Sequence, residues 1–94
     1  MSTTAEVLRV AAGVIASQPH IRVDVVTAIR IAAGPGRLAH ELAERVLRVF
    51  AAHLGYEADG DPSDDLKRWS SRQPTDHIIA ELYEAADLAE TGGS

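Results

Sequence analysis

The sequence predicts an all-α fold, a compact bundle of four main helices plus one short helix, and three observations predict it. The 94 residues are 46% apolar, with much of that share alanine, yet they hold only four aromatic side chains: Phe50, Tyr56, Trp69 and Tyr83. Alanine is the best helix former and a poor strand former, so this composition favours closely packed helices. Apolar residues recur at three- and four-residue spacing through the long segments, which is the period of a helix with one buried side. Glycine and proline cluster between those segments, at Gln18-Pro19-His20, Gly34-Pro35-Gly36 and Gly55. A chain this short buries about two thirds of its unfolded surface, enough for one core. The expected organisation is a single helical domain over 1–90 and a disordered tail over 91–94.

The first helix is predicted from about Thr4 to Ser17. Thr3 and Glu6 have capping-box spacing, and Val7, Leu8, Ala11, Ala12, Val14 and Ile15 form its apolar stripe with Arg9 toward solvent. Ile21-Arg22-Val23-Asp24-Val25 alternates as a strand does, but a lone strand has no pairing partner. The reading is therefore an extended lead-in over 21–23 and a helix from about Asp24 to Ala33, carried by Val25, Val26, Ile29, Ala32 and Ala33. Gly34 suits the position after a helix, and Pro35 cannot continue one. The third helix, about Gly36 to Leu54, buries Leu38, Leu42, Val46, Val49, Phe50 and Leu54. Its wet side carries Arg37, Glu41, Glu44 and Arg48, with Glu41–Arg45 and Glu44–Arg48 placed as i,i+4 ion pairs. After a polar loop, Ser63 is expected to cap a short helix over Asp64–Trp69, and Thr75 to cap the last one. Ile78, Ile79, Leu82, Tyr83, Ala86 and Ala89 give the last helix its buried stripe, with Glu81, Glu84, Asp87 and Glu90 outward.

Two segments together resemble a known family. Val25 to Gly34 resembles its second helix. Leu66-Lys67-Arg68-Trp69-Ser70-Ser71-Arg72-Gln73-Pro74-Thr75, followed by Ile78-Ile79-Ala80-Glu81-Leu82 and Ala85-Ala86, resembles its Trp-containing short helix and Thr-capped C-terminal helix. That combination is similar to a family of short proteins from actinobacteria and their phages, a domain of unknown function. The resemblance implies a helical fold and an actinobacterial or phage origin, and it implies no activity. That the chain acts on a host protein is a separate expectation, drawn from its acidic C-terminal helix.

Charge narrows the partner class. Residues 1–56 carry a balance of +2 and residues 57–94 a balance of −7, for a net charge of −5 and a pI near 5.2. An acidic C-terminal half repels phosphate backbones and anionic membranes. No 18-residue apolar run is present and the N-terminus has no basic leader region, so a cytoplasmic protein is expected. With no cysteine there is no disulfide, thiol nucleophile or thiolate metal ligand.

The motif search yields no catalytic or cofactor site. The acidic loop Glu57 to Asp65 fails as a calcium loop, since starting at Glu57 puts Pro62 sixth and Arg68 twelfth, and starting at Asp59 puts Asp64 sixth and Ser70 twelfth. No two of His20, His40, His53 and His77 stand three or four apart, so no metal site is expected. His53 reads as a complement to the C-terminal dipole of its helix. There is no G-x-S-x-G elbow, and Gly34-Pro35-Gly36 is too short to cradle a phosphate. Arg37, Arg45 and Arg48 share a helix, but Glu41 and Glu44 interrupt that face as a nucleic-acid reader.

Two features remain. Trp69 stands in the basic cluster Lys67, Arg68 and Arg72, and reads either as a binding hot spot or as a plug fastening the short helix to the core. Glu81, Glu84, Asp87 and Glu90 have no basic partner within their own helix. The expected function is thus a small non-catalytic protein–protein interaction module, with a protein partner or a second copy of the chain meeting these residues. The alternative is a nucleic-acid-binding regulator, and an enzyme ranks third.

Overall fold

A computed structural model of the chain describes residues 4–17, 23–56 and 61–91. Five α-helices and no strand occupy them: α1 (Thr4–Ser17), α2 (Val25–Ala33), α3 (Arg37–His53), α4 (Pro62–Arg72) and α5 (Thr75–Thr91). The expected all-α class is what the chain adopts. Thr3, the Gln18–His20 break, the extended lead-in at Ile21 and Arg22, residues 57–60 of the acidic loop and residues 92–94 of the expected tail lie outside the described residues.

All five helices contribute to one core. Val7, Leu8, Ala11 and Ala12 of α1 meet Val25, Val26, Ala28 and Ile29 of α2, Val46, Leu47 and Phe50 of α3, Leu66 of α4, and Leu82 and Ala86 of α5. α1 is the hub, packed most extensively on α5 and α2, while α4 lies against α2 and α3. The alanines at these contacts let helix backbones approach closely. Each fully buried Leu, Ile, Val or Phe contributes about 1.5–3 kcal/mol by leaving water.

The helix ends follow from local chemistry. Asp24 caps α2, accepting a hydrogen bond from the Thr27 amide at 2.8 Å. Gly34 (φ +94°) and Gly36 (φ +101°) then turn the chain into α3 through backbone conformations that side chains with a Cβ avoid. Replacing Asp24 with Ala leaves that amide unpaired and is expected to cost about 1 kcal/mol. A urea midpoint unchanged by Asp24→Ala would show that the cap contributes nothing.

The fold departs from expectation at several points. The short helix is longer than α2: it starts at Pro62 and ends at Arg72 rather than running over 64–69. Asp61, not Ser63, caps it, accepting from the Ser63 amide at 3.0 Å, with Pro62 at a first-turn position where its missing N–H costs nothing. Ser70 and Ser71 belong to it, their hydroxyls donating back to the Lys67 and Arg68 carbonyls at 3.2 and 2.8 Å instead of breaking the helix. Thr75 is the first residue of α5, and the Pro74 carbonyl accepts from the His77 and Ile78 amides. Thr91, expected in the tail, closes α5 with its hydroxyl donating to the Asp87 carbonyl.

Three residues expected in the core are outside it. The buried stripe of α3 is Ala43, Val46, Leu47, Phe50 and Ala51, and Leu38 and Val49 fall on the far side of it. Leu38 is 82% exposed. Tyr83 is 46% exposed, because α5 buries Ile78, Leu82, Ala85 and Ala86 instead. The two i,i+4 pairs on α3 do not close either. Glu44 accepts from Arg30 of α2 at 3.3 Å, which ties two helices rather than two turns of one.

Candidate functional site

The junction of α3 and α4 forms a groove of about 350 Å³ lined by Tyr56, Asp65, Arg68, Trp69, Arg72 and Gln73. Its construction begins at the end of α3. The Tyr56 amide donates to the Ala51 carbonyl at 2.9 Å and the Gly55 amide to the Ala52 carbonyl at 3.1 Å. This is the Schellman pair of hydrogen bonds, and it requires the positive φ of +92° that Gly55 supplies. The turn reverses the chain and sets Tyr56 at the groove edge.

The rest of the lining comes from one face of α4. Asp65, Arg68, Trp69 and Arg72 follow the i, i+3, i+4, i+7 rule, so a single helical face presents all four. Ser63, Leu66 and Ser70 are the buried residues of the same helix and point it at the core. Lys67, the remaining member of the basic cluster, leaves α4 on another side and does not line the groove.

Trp69 serves both surfaces. It is half-buried, with its ring edge-on to Phe50 at 5.6 Å and 76°, and tilted against His77 at 6.0 Å. Phe50 is itself fully buried, so the indole is anchored to the core on one side and borders the groove on the other. Arg68 and Arg72 are exposed one turn apart. Among the described residues neither takes part in an ion pair, although Asp65 lies on the same face. Among the described lining residues, two guanidinium groups stand against one carboxylate, a positive balance.

The acidic face of α5 is arranged differently from expectation. Glu81, Asp87 and Glu90 all have basic partners, supplied by other helices. Arg9 of α1 donates to Asp87 at 3.2 Å and to Glu90. The hydrogen bonds that Arg9 donates to Glu90 first, then to Asp87, raise its guanidinium above the ordinary pKa. His53 at the end of α3 pairs with Glu81 at 3.0 Å. His53 therefore answers a carboxylate across the fold and not only the dipole of its own helix. Glu84 is exposed beside that pair, and single donor atoms of His53, Glu81 and Glu84 all lie within 4.8 Å of one another. This trio is the one group among the described residues with the composition of a metal site.

Two other concavities carry less. One, of about 230 Å³, is lined by Arg30, Gly34, Gly36, Ala39, His40 and Ala43, and its cation is already engaged by Glu44 and by Ser63 Oγ. The other lies along the outer side of α3, where His40, Glu41, Glu44, Arg45, Arg48 and Val49 line it and the two glutamates offset the two arginines. Among the described residues, every buried side-chain nitrogen and oxygen has a hydrogen-bond partner. No helix is long and apolar enough to cross a membrane among the described residues.

Sequence reasoning located Arg68, Trp69 and Arg72 but missed Tyr56, Asp65 and Gln73 as their neighbours. The i, i+3, i+4, i+7 spacing from Asp65 to Arg72 was the available signal, obscured by reading the helix as ending at Trp69. Compared with protein-family models, curated proteins and solved structures, the chain matches none.

Proposed function

We propose that the chain is a non-catalytic protein–protein interaction module that receives a short acidic segment of its partner in the Tyr56–Trp69 groove. The observation that carries this reading is the pair of guanidinium groups, Arg68 and Arg72, unpaired among the described residues and flanking a core-anchored indole. Guanidinium groups bind carboxylates through two parallel hydrogen bonds, and Trp and Arg dominate the energetics of protein interfaces. A ring held in place by Phe50 loses little freedom on binding, which favours affinity.

The length of the ligand follows from electrostatics. Outside the groove, the C-terminal half of the chain is strongly acidic. A long polyanion such as duplex DNA extends past the two arginines and meets that field, whereas a short acidic segment ends within about a Debye length, ~8–10 Å. A groove of this size gives a small interface, for which affinity in the micromolar range is expected.

Trp69 is the chain's single tryptophan and so reports directly on the groove. A Trp-free peptide of alternating Asp and Phe is expected to change its emission saturably at micromolar concentration, more weakly as salt rises. The double variant Arg68→Glu/Arg72→Glu is expected to lower affinity at least about tenfold, since charged hydrogen bonds are worth about 1.5–3 kcal/mol each. Helical dichroism should be unchanged, because both side chains are exposed. Equal peptide binding by the double variant would remove the groove as the site. Tighter binding to duplex DNA than to peptide would favour a nucleic-acid regulator instead.

A further inference from the structure

We propose that His53, Glu81 and Glu84 form a binding site for a divalent transition-metal ion of the zinc type, separate from the groove and independent of its function. Two carboxylates one turn apart on a helix are an ordinary solvated surface. Here an imidazole from a different helix is set against them, and that changes the chemistry. His53 sits on the last turn of α3 with its ring stacked on Phe50 at 6.2 Å and 23°, and its side chain is only 13% exposed. Packing fixes the direction of Nε2, which lies 3.0 Å from Glu81 Oε2. Glu84, at i+3 from Glu81, brings its carboxylate to the same side of α5, so all three donors converge within 4.8 Å.

The donor set selects the ion. Zinc takes imidazole nitrogen and carboxylate oxygen at about 2.0–2.2 Å, and three protein ligands with a water in the fourth position are a common arrangement. At those bond lengths, donors in a tetrahedral set stand about 3.3 Å apart. His53 and Glu81, at 3.0 Å, need to part only slightly to reach that separation, and the exposed Glu84 side chain has the freedom to rotate in. Calcium and magnesium are disfavoured, because they seek six or more oxygen ligands. Charge points the same way. Glu84 forms no ion pair among the described residues and stands one turn from a second carboxylate, an arrangement that is repulsive on a helix surface. A metal binds imidazole in its neutral form, so the ligand set of one imidazole and two carboxylates matches the charge of a divalent cation.

Binding here would join the end of α3 to α5, two helices that otherwise meet sparingly. A ligand held by the folded state alone raises the melting temperature by mass action.

The test uses the full chain stripped of metal. Calorimetric titration with zinc chloride is expected to show one equivalent bound with a micromolar Kd. Cobalt should give visible d–d bands of the intensity that four- or five-coordinate ions show. Zinc at roughly a hundred times Kd should raise the melting temperature by about 10 °C, while millimolar calcium or magnesium leaves it unchanged. Glu84→Gln removes one ligand from an exposed position, so the metal-free protein should melt as the parent does while zinc affinity falls at least tenfold. His53→Gln should abolish binding, and Glu84→Gln keeps the test decisive if the packed His53 variant folds poorly. No binding up to millimolar zinc, or one equivalent bound equally well by Glu84→Gln, overturns the proposal. The second outcome would place the ion on His20, His40 or His77 instead.

Discussion

Phe50→Ala is expected to destabilise the protein by about 3–5 kcal/mol, the range for removing a buried aromatic ring and leaving part of its volume empty. Phe50 is fully buried and holds two neighbours in place, His53 one turn along the same helix and Trp69 across on α4. A domain of this length has a total stability of about 5–14 kcal/mol, so at least about a fifth of it is at stake. Urea denaturation followed by far-ultraviolet dichroism should show a lower midpoint with an unchanged slope, and Trp69 emission should shift to the red as its anchor is lost. The melting temperature should fall by at least about 12 °C. Phe50→Leu, which refills much of the volume, should cost about 1–1.5 kcal/mol. A loss below 1 kcal/mol for the alanine variant would mean that α3 and α4 do not meet over this ring.

How much of this was legible in the sequence depends on which residues are asked. Helices α1, α2 and α3 were readable because alanine and leucine periodicity ran between glycine and proline breaks, and each break acted through local backbone chemistry. Gly34 and Gly55 ended α2 and α3 as expected, both at positive φ. Ser70 and Ser71 misled, because serine is usually a helix boundary signal; here each hydroxyl donates to the carbonyl three residues back and the helix continues to Arg72. Leu38, Val49 and Tyr83 misled for another reason. Side-chain type marks a residue as apolar but does not fix which of two overlapping stripes its helix turns inward. That choice is made by Ala43, Leu47 and Ala85, small or branched residues that fit against neighbouring helices.

The site was half legible for a related reason. Arg68, Trp69 and Arg72 are close in sequence, so their cluster was visible. Arg9 is separated from Asp87 and Glu90 by 78 and 81 positions, and His53 from Glu81 by 28. No periodicity within one helix reports such pairs. The acidic face of α5 consequently looked available for a partner when α1 and α3 already engage much of it. That redistribution is why the proposed docking surface is α4, where Arg68 and Arg72 are unpaired among the described residues, rather than α5.

Trp69→Ala and Trp69→Phe together separate the two roles of the indole. Truncation to Ala removes the edge contact with Phe50 and is expected to cost about 2–3 kcal/mol, below the range for a fully buried ring because Trp69 is only half-buried. The Phe variant keeps an aromatic edge against Phe50, so its stability should stay within about 1 kcal/mol of the parent. Groove affinity behaves differently. The phenyl ring is smaller and lacks the indole N–H, so anisotropy of a fluorescein-labelled acidic peptide should report several-fold weaker binding for Phe as well as for Ala. Calorimetric melts and anisotropy titrations on the same two proteins therefore give two independent readings. If Trp69→Ala melts with the parent, the indole does not fasten α4 to the core. If Trp69→Phe binds peptide as the parent does, any flat ring suffices and recognition rests with Arg68 and Arg72. The geometry favours both losses at once, because one side of the ring meets Phe50 while the other borders the groove.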